Sequence, residues 1–263
     1  MTIKHRHVSP VTLGADPELF LTDESGKYIS SIGRFGGTKQ KPRQLGKLAG
    51  MAVQEDNVAV EFNIPPVLRR VEFRKHIQTA LKLLEKEARA MQLKLAVVSS
   101  TEFEPDQLDN PKAQVFGCDP DFNVWTLRQN PSPKPTNKRL RSAGGHIHFA
   151  YTKDRIGLGR ALDLFQGCPS ILFDPDQNRR LLYGKAGAVR QKEYGLEYRT
   201  LSSFWIKSPE LTDMVFSQGV QAIEFVEAGH TIPEQDARKI IKCINESDQR
   251  MLVELTEKYG LMY

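Results

Sequence analysis

Apolar and polar residues alternate along several stretches of this 263-residue chain, and they recur at helical spacing along others. Val11 to Leu21 reads as a strand that closes at an Asp23-Glu24-Ser25-Gly26-Lys27 turn. Pro17 lacks a ladder donor and predicts an edge strand or a bulge at that point. Val58 to Asn63 is the next strand, ended by Ile64-Pro65-Pro66. From Arg69 to Gln92 the period becomes helical, with Val71, Ile77, Leu81, Leu84, Ala88 and Met91 on one stripe. Leu93 to Val98 is a short apolar strand, so a helix leaves one strand and returns to another, the pattern of helices layered on a sheet. Asp154 to Phe165 is helical and stopped by Gly167 and Pro169, and a short helix is expected over Pro175 to Tyr183. Ser208-Pro209 supplies an N-cap and a first-position proline, and Ile240, Ile241, Ile244, Met251, Leu252 and Leu255 mark further helices to the end.

Two long segments carry no period of their own. Gly33 to Gly50 holds five glycines with Arg34, Lys39, Lys41, Arg43 and Lys47; such a composition suits a solvated, mobile segment, or beside a nucleotide site a cover that closes over phosphates. Glu104 to Arg141 is rich in Pro, Asn and Asp, yet Phe116, Phe122, Trp125 and Leu127 need somewhere to pack, which suggests a substrate-side loop. The leader 1–10, with a second His-x-His at His5 and His7, reads as a polar terminus.

Residues two apart on a strand point to one face. His146 and His148, within Ala143-Gly144-Gly145-His146-Ile147-His148-Phe149, therefore project together while Ile147 and Phe149 face a core. Asp16 and Glu18, Glu61 and Asn63, and Glu197 and Arg199 repeat that spacing among apolar neighbours. Polar pairs on four strands of one apolar sheet destabilise it unless cations or partners sit among them. The pattern predicts a metal and phosphate site. Hard oxygens from Asp16, Glu18, Glu61 and Glu197 suit Mg²⁺, and a nitrogen from His146 suits Mn²⁺ as well. Arg179, Arg180, Arg190 and Arg199 offer planar forks for phosphate oxygens.

Composition narrows the partners. A net charge of +5 permits nucleic acid but suits polyphosphates equally. Cys118, Cys168 and Cys243 are odd in number and widely spaced, which suggests reduced thiols rather than a disulfide framework. Neither a signal peptide nor a membrane-length apolar run is read, and a cytoplasmic protein is expected. Neither GxxxxGK[ST] nor GxGxxG occurs, so a bound nucleotide must be held by carboxylates, metals and arginines.

Five segments taken in order, Gly14 to Phe20, Gln54 to Pro66, Val115 to Trp125, Arg141 to Ala150 and Arg179 to Trp205, resemble the phage-type COOH–NH2 ligases, type 2, of the glutamine-synthetase superfamily of amidoligases. The resemblance implies an α+β fold: a curved, mainly antiparallel sheet, a half barrel, with ATP and divalent ions on its concave face and helices on its convex face. It implies Asp16 and Glu18 as the first acidic pair, Glu61 as the next metal-binding acid, and His146 as the histidine on the nucleotide-bound metal. Glu197 then stands for the late metal glutamate, with Arg199 and Arg190 on phosphate or acyl-phosphate. Arg199, Arg190 and Glu61 are the expected catalytic groups, and Arg179, Arg180 and His148 are expected on the ATP side. Asp-Pro-Glu replaces the usual two glutamates and Asn63 a second acid, which leaves the number of metal ions open. One catalytic domain over 1–263 is expected, with C-terminal helices over 208–263 and a cytoplasmic location, in the host cell if the chain is phage-encoded.

The implied activity is ATP-dependent amide formation from a carboxylate and an amine, with Mg²⁺ or Mn²⁺ and with neither nucleic acid nor membrane as partner; the oligomeric state is open. A metal-dependent hydrolase of an amide, ester or phosphoester is the alternative. Its chemistry needs few guanidinium groups, so the arginine set weighs against it. A nucleic-acid binder would need aromatic residues interleaved with an exposed basic face, and no such motif occurs.

Overall fold

The computed structural model describes residues 11–114, 121–132 and 136–263; His5, His7, Cys118 and most of the Phe116-to-Asp121 motif lie outside them. The strands are β1 (Leu13–Thr22), β2 (Tyr28–Ile29), β3 (Arg43–Gln44), β4 (Ala52–Asp56), β5 (Ala59–Val67), β6 (Lys94–Ala96), β7 (Ser100–Glu102), β8 (Phe122–Asn123), β9 (Arg128–Gln129), β10 (Leu140–Ser142), β11 (Gly145–Phe149), β12 (Ala188–Lys192) and β13 (Gly195–Tyr198). Eleven of them form one sheet in the order β3-β4-β5-β1-β11-β13-β12-β8-β9, with β2 and β6 also paired to β1. Each of these pairings is antiparallel. The path ends at two-residue strands, β3 and β9, so the sheet is open and not closed into a barrel. Strands β7 and β10 pair separately.

Alternation sorts the two faces. Leu13, Ala15, Leu19 and Leu21 of β1, Val60, Phe62 and Ile64 of β5, Ile147 and Phe149 of β11, and Leu196 and Tyr198 of β13 all enter one buried core. The helices begin with α1 (Arg70–Ala90), α2 (Arg155–Leu162), the short α3 (Cys168–Ser170) and α4 (Asn178–Leu182), and α5 (Pro209–Glu227), of which α1, α2 and α5 lie against that core. Two further helices, α6 (Glu234–Glu246) and α7 (Gln249–Tyr259), pack on each other beyond them, with Ile240, Ile244, Leu252 and Leu255 buried. Each large apolar side chain removed from water contributes about 1.5–3 kcal/mol. A one-residue slip of β1 would turn Leu13, Leu19 and Leu21 out and Asp16 and Glu18 in, so the register is strongly specified. Phe20, on the opposite face, joins a smaller core with Phe103, Val58, Leu108 and Ala143.

Several local expectations change. Pro17 lies in an interior strand; β1 pairs with β5 at Ala15 and Glu18 but not at Pro17, and there the missing donor costs nothing. Strand β5 runs on through Pro65 and Pro66 to Val67, opposite Leu13. Val71 is 59% exposed, and the buried stripe of α1 is Phe73, Ile77, Ala80, Leu84 and Ala88. Gly167 and Pro169 do not stop the helix after α2: the chain widens to a π-turn over Asp163–Gly167 and regains α geometry at Cys168–Ser170. Proline is tolerated there because it occupies the start of the renewed turn. The Ser208 cap forms as expected, its side chain accepting from the N–H of Leu211.

Candidate functional site

Strand register alone assembles the polar face. Asp16 is the partner of His146, Glu18 of Glu61, His148 of Glu197, and Glu197 also of Arg190 on its other side. Side chains directly opposite on one face are within reach of each other. Two groups result: ligand atoms of Asp16, His146 and Glu197 lie within 4.8 Å of one another, and so do those of Glu18, Asp56 and Glu61. The glycines before the histidines are sterically required. A Cβ on Gly144 would sit 2.2 Å from Nε2 of His146.

Electrostatics divide the two groups. Burial works against the charge of Glu197, which is 1% exposed, yet Arg199 ahead of other cations brings its pKa down to about 2. Arg199, Arg190 (3.3 Å) and Lys192 (3.2 Å) all approach that one carboxylate. Asp16 is half-buried; burial works against its charge, yet the His148 charge with hydrogen bonding to both imidazoles lowers its pKa. His148 gives Nε2 to Asp16 at 2.9 Å and Nδ1 to the Tyr194 hydroxyl, and Asp16 raises its pKa against the effect of burial. In the second group burial dominates. Glu61 is pushed well above the ordinary carboxylate range by burial and by the charges of Asp16, Glu18 and Asp56, although Gln54 donates to it at 2.9 Å. Burial likewise raises Glu18, whose carboxylate accepts from the N–H of Gly144 at 2.7 Å.

The arginines part company. Arg199 pairs with Glu197 and, through Nε at 2.6 Å, with Asp121. Arg179, 2% exposed, donates to the carbonyls of Ala143, Arg199, Thr200 and Leu201 and so ties the segment that follows β13 to the turn before β11. Arg180 is buried as well and donates to the Gly184 carbonyl. A cavity of about 390 Å³ opens beside these groups. Glu18, His146, Arg199 and Asp121 line it, together with the apolar Phe20, Ile32 and Val58.

Asp56, Asp121, Gln54, Lys192 and Tyr194 were not among the residues expected from the sequence. Asp56 and Gln54 sit on β4, where only Val53 breaks a run of small and polar residues and no apolar alternation marks a strand. The face alternation of β12, which carries both Arg190 and Lys192, was the available signal for Lys192.

An antiparallel sheet with acids, imidazoles and guanidinium groups gathered on one face, beside a cavity, defines a candidate site for metal- and anion-handling chemistry. Residues 138–257 match the model of a family described as phage phiEco32-like COOH.NH2 ligase-type 2, so over that stretch the chain is similar to a family of carboxylate–amine ligases. His146, Arg179, Arg190, Glu197 and Arg199 fall inside the match, and Asp16, Glu18, Asp56 and Glu61 precede it. No curated protein matches the chain. Among solved structures it is similar to apo GmaS, with TM-score 0.46 and 14% identity over 93% of this chain and 65% of that one. It is similar also to a bifunctional glutathione synthetase from Pasteurella multocida, with TM-score 0.48 and 12% identity over 96% of this chain and 46% of that one. The chain thus spans 65% and 46% of the lengths of those two proteins. No described helix is long and apolar enough to cross a membrane.

Proposed function

We propose that this chain is an ATP- and divalent-metal-dependent carboxylate–amine ligase acting through an acyl-phosphate. The observation that carries the reading is the convergence of Asp16, His146 and Glu197 with Arg190 and Arg199 beside one cavity, within a chain whose C-terminal part matches a COOH–NH2 ligase family. The residues suit a hard cation. Oδ1 of Asp16 is a carboxylate oxygen shielded from solvent and faced by two imidazoles, Nε2 of His148 at 2.9 Å and Nδ1 of His146 at 3.5 Å, and the carboxylates of Glu18, Asp56 and Glu61 crowd one another. Asp16, His146 and Glu197 would hold one divalent ion and Glu18, Asp56 and Glu61 a second. Bound there, Mg²⁺ or Mn²⁺ supplies neutralisation of phosphate charge. The open sheet supports, as the finer reading, the half barrel of glutamine-synthetase-like amidoligases in one catalytic domain, acting on small-molecule or peptide substrates in the cytoplasm.

The chain's own residues then do three things. Arg199, with Arg190, presents planar donors where charge develops as phosphate passes to the substrate carboxylate. Asp121, bonded to Nε of Arg199, fixes the plane of that guanidinium. The cavity walls hold the activated acid against the amine and exclude water, to which an acyl-phosphate is vulnerable. The amine displaces phosphate and leaves an amide. Arg179 and Arg180, expected on the ATP side, donate to backbone carbonyls, and we assign them to holding the segment that follows β13 and the Gly184 turn in place.

The test is ADP release over a panel of acids and amines with Mg²⁺ and ATP. Release is expected to be slow with ATP alone and to rise when a suitable acid and amine are both present, with a product whose mass is their sum less one water. Unchanged release across the panel together with Mn²⁺-supported cleavage of an ester, amide or phosphoester would replace the ligase by the hydrolase reading.

A further inference from the structure

The cationic, glycine-rich segment from Gly33 onward is expected from its composition to be a mobile cover, yet its first half is held tightly. One carboxylate oxygen of Glu55 accepts the N–H of Gly33 at 2.9 Å. The other accepts the N–H groups of Arg34, Phe35 and Gly36 at 2.9, 3.0 and 2.8 Å. Four successive amides converging on one anion form a concave nest. Bonds from neutral donors to a charged acceptor are roughly twice as strong as neutral pairs. The Glu55 N–H returns a long bond of 3.5 Å to the Gly37 carbonyl. Arg43 donates to the Phe35 carbonyl at 2.6 Å and anchors to Glu87 of α1 at 2.6 Å. Gly37, with φ +79°, presses on β4 so closely that a Cβ would lie 2.3 Å from the Val53 carbonyl oxygen. Thr38 and Lys41 then close a turn through paired backbone bonds of 3.0 Å. Gly37, Thr38, Lys39 and Gln40 line the cavity, on a border that Glu55 and Asp56 continue.

We propose that Glu55 is a positioning residue: its carboxylate fixes residues 33–40 as an immobile wall of the cavity, and that wall determines which acid or amine the cavity admits. The second half rests on the ligase reading; the first does not. Glu55 lies on β4, whose next residue but one, Asn57, starts the return to β5 and Glu61, so the wall is tied to the strands that carry the acidic groups. A fixed wall discriminates ligands by shape because deforming it breaks several bonds at once.

Amide hydrogen exchange at Gly33, Arg34, Phe35 and Gly36 is measured in the full chain, in Glu55→Ala and in Glu55→Gln. Loss of a bond to an ionised acceptor corresponds to roughly tenfold or more in exchange. Glu55→Ala is expected to lose protection at all four amides, and formate to restore it by occupying the nest. Glu55→Gln keeps one acceptor oxygen and is expected to lose protection at Gly33 alone, because its amide NH2 faces that donor. With the acid and amine that support turnover, Glu55→Ala is expected to raise KM about tenfold, with formate reversing the rise and the Mg²⁺·ADP affinity unmoved. Retained protection in Glu55→Ala overturns the proposal, and so does lost protection with unchanged KM. Absence of turnover in the wild type sinks the ligase reading instead; the fixed wall is then upheld by formate-restored protection and overturned by protection that never depended on Glu55.

Discussion

Asp16 and His146 are register partners across the β1–β11 ladder, with Oδ1 of the carboxylate 3.5 Å from Nδ1 of the imidazole. Glu197, one strand further, stands 3.9 Å from the same nitrogen. Two carboxylates and an imidazole thus come together from strands distant in sequence, and only the antiparallel register puts them there.

Glu197 tests this constellation. It is the carboxylate that Arg190, Lys192 and Arg199 all face, and a neutral amide is a poor ligand for a hard cation. Glu197→Gln is expected to fold and to lose about tenfold or more in Mg²⁺-dependent ATP affinity, a difference of about 1.4 kcal/mol or larger. Calorimetry with and without Mg²⁺ decides it. Equal metal dependence in variant and wild type would remove Glu197 from the metal site.

Arg199→Lys keeps a positive charge but loses the planar fork that meets Glu197 and Asp121 together. If its role lies in stabilising transferred phosphate, turnover should fall about a hundredfold while ATP affinity changes little. Single-turnover kinetics set against equilibrium binding separate the two. A loss confined to affinity would make Arg199 a binding group only.

The face alternation was legible in the sequence because period-two patterns survive any tertiary context: Asp16, Glu18, Glu61, His146 and Glu197 emerge on the polar side opposite Leu13, Phe62, Ile147 and Tyr198. Helix α5 was legible through its Ser208 cap. What escaped depends on partners far away in the chain. Asp121 matters because Arg199 reaches it across 78 residues. Arg179 carries the same guanidinium as Arg199, and only burial among four carbonyls gives it another task. The segment from Gly33 is glycine-rich, as mobile loops are, but a single acid on β4 gathers its amides.

That division between the arginines is open to measurement. Arg179→Lys cannot supply donors in the directions of Ala143, Arg199, Thr200 and Leu201 at once. Each buried carbonyl left without a partner costs about 1–3 kcal/mol, so a loss above about 3 kcal/mol is expected. The urea midpoint should fall with the slope unchanged. A stable Arg179→Lys that loses only ATP affinity would return Arg179 to the phosphate site.

Asp163 offers a test through pH. It begins the π-turn after α2, is fully buried, and accepts from Trp125 Nε1 at 2.6 Å, the Tyr198 hydroxyl at 2.7 Å and the Thr200 hydroxyl at 3.2 Å. Burial raises its pKa from the ordinary 3.8 to about 6, against the lowering effect of those donors. The folded chain therefore holds a proton on Asp163 that the unfolded chain has released, and stability falls as pH rises across that window. At about 1.4 kcal/mol per pKa unit, the decline amounts to about 3 kcal/mol between pH about 4 and about 6, and it levels off above. Asp163→Asn has no such titration. Its unfolding free energy, subtracted from that of the wild type at each pH, should leave a difference that decreases over this interval and is flat beyond it. Denaturant unfolding of both proteins between pH 4 and 8 measures the difference, and parallel curves throughout would show that burial does not govern the ionisation of Asp163.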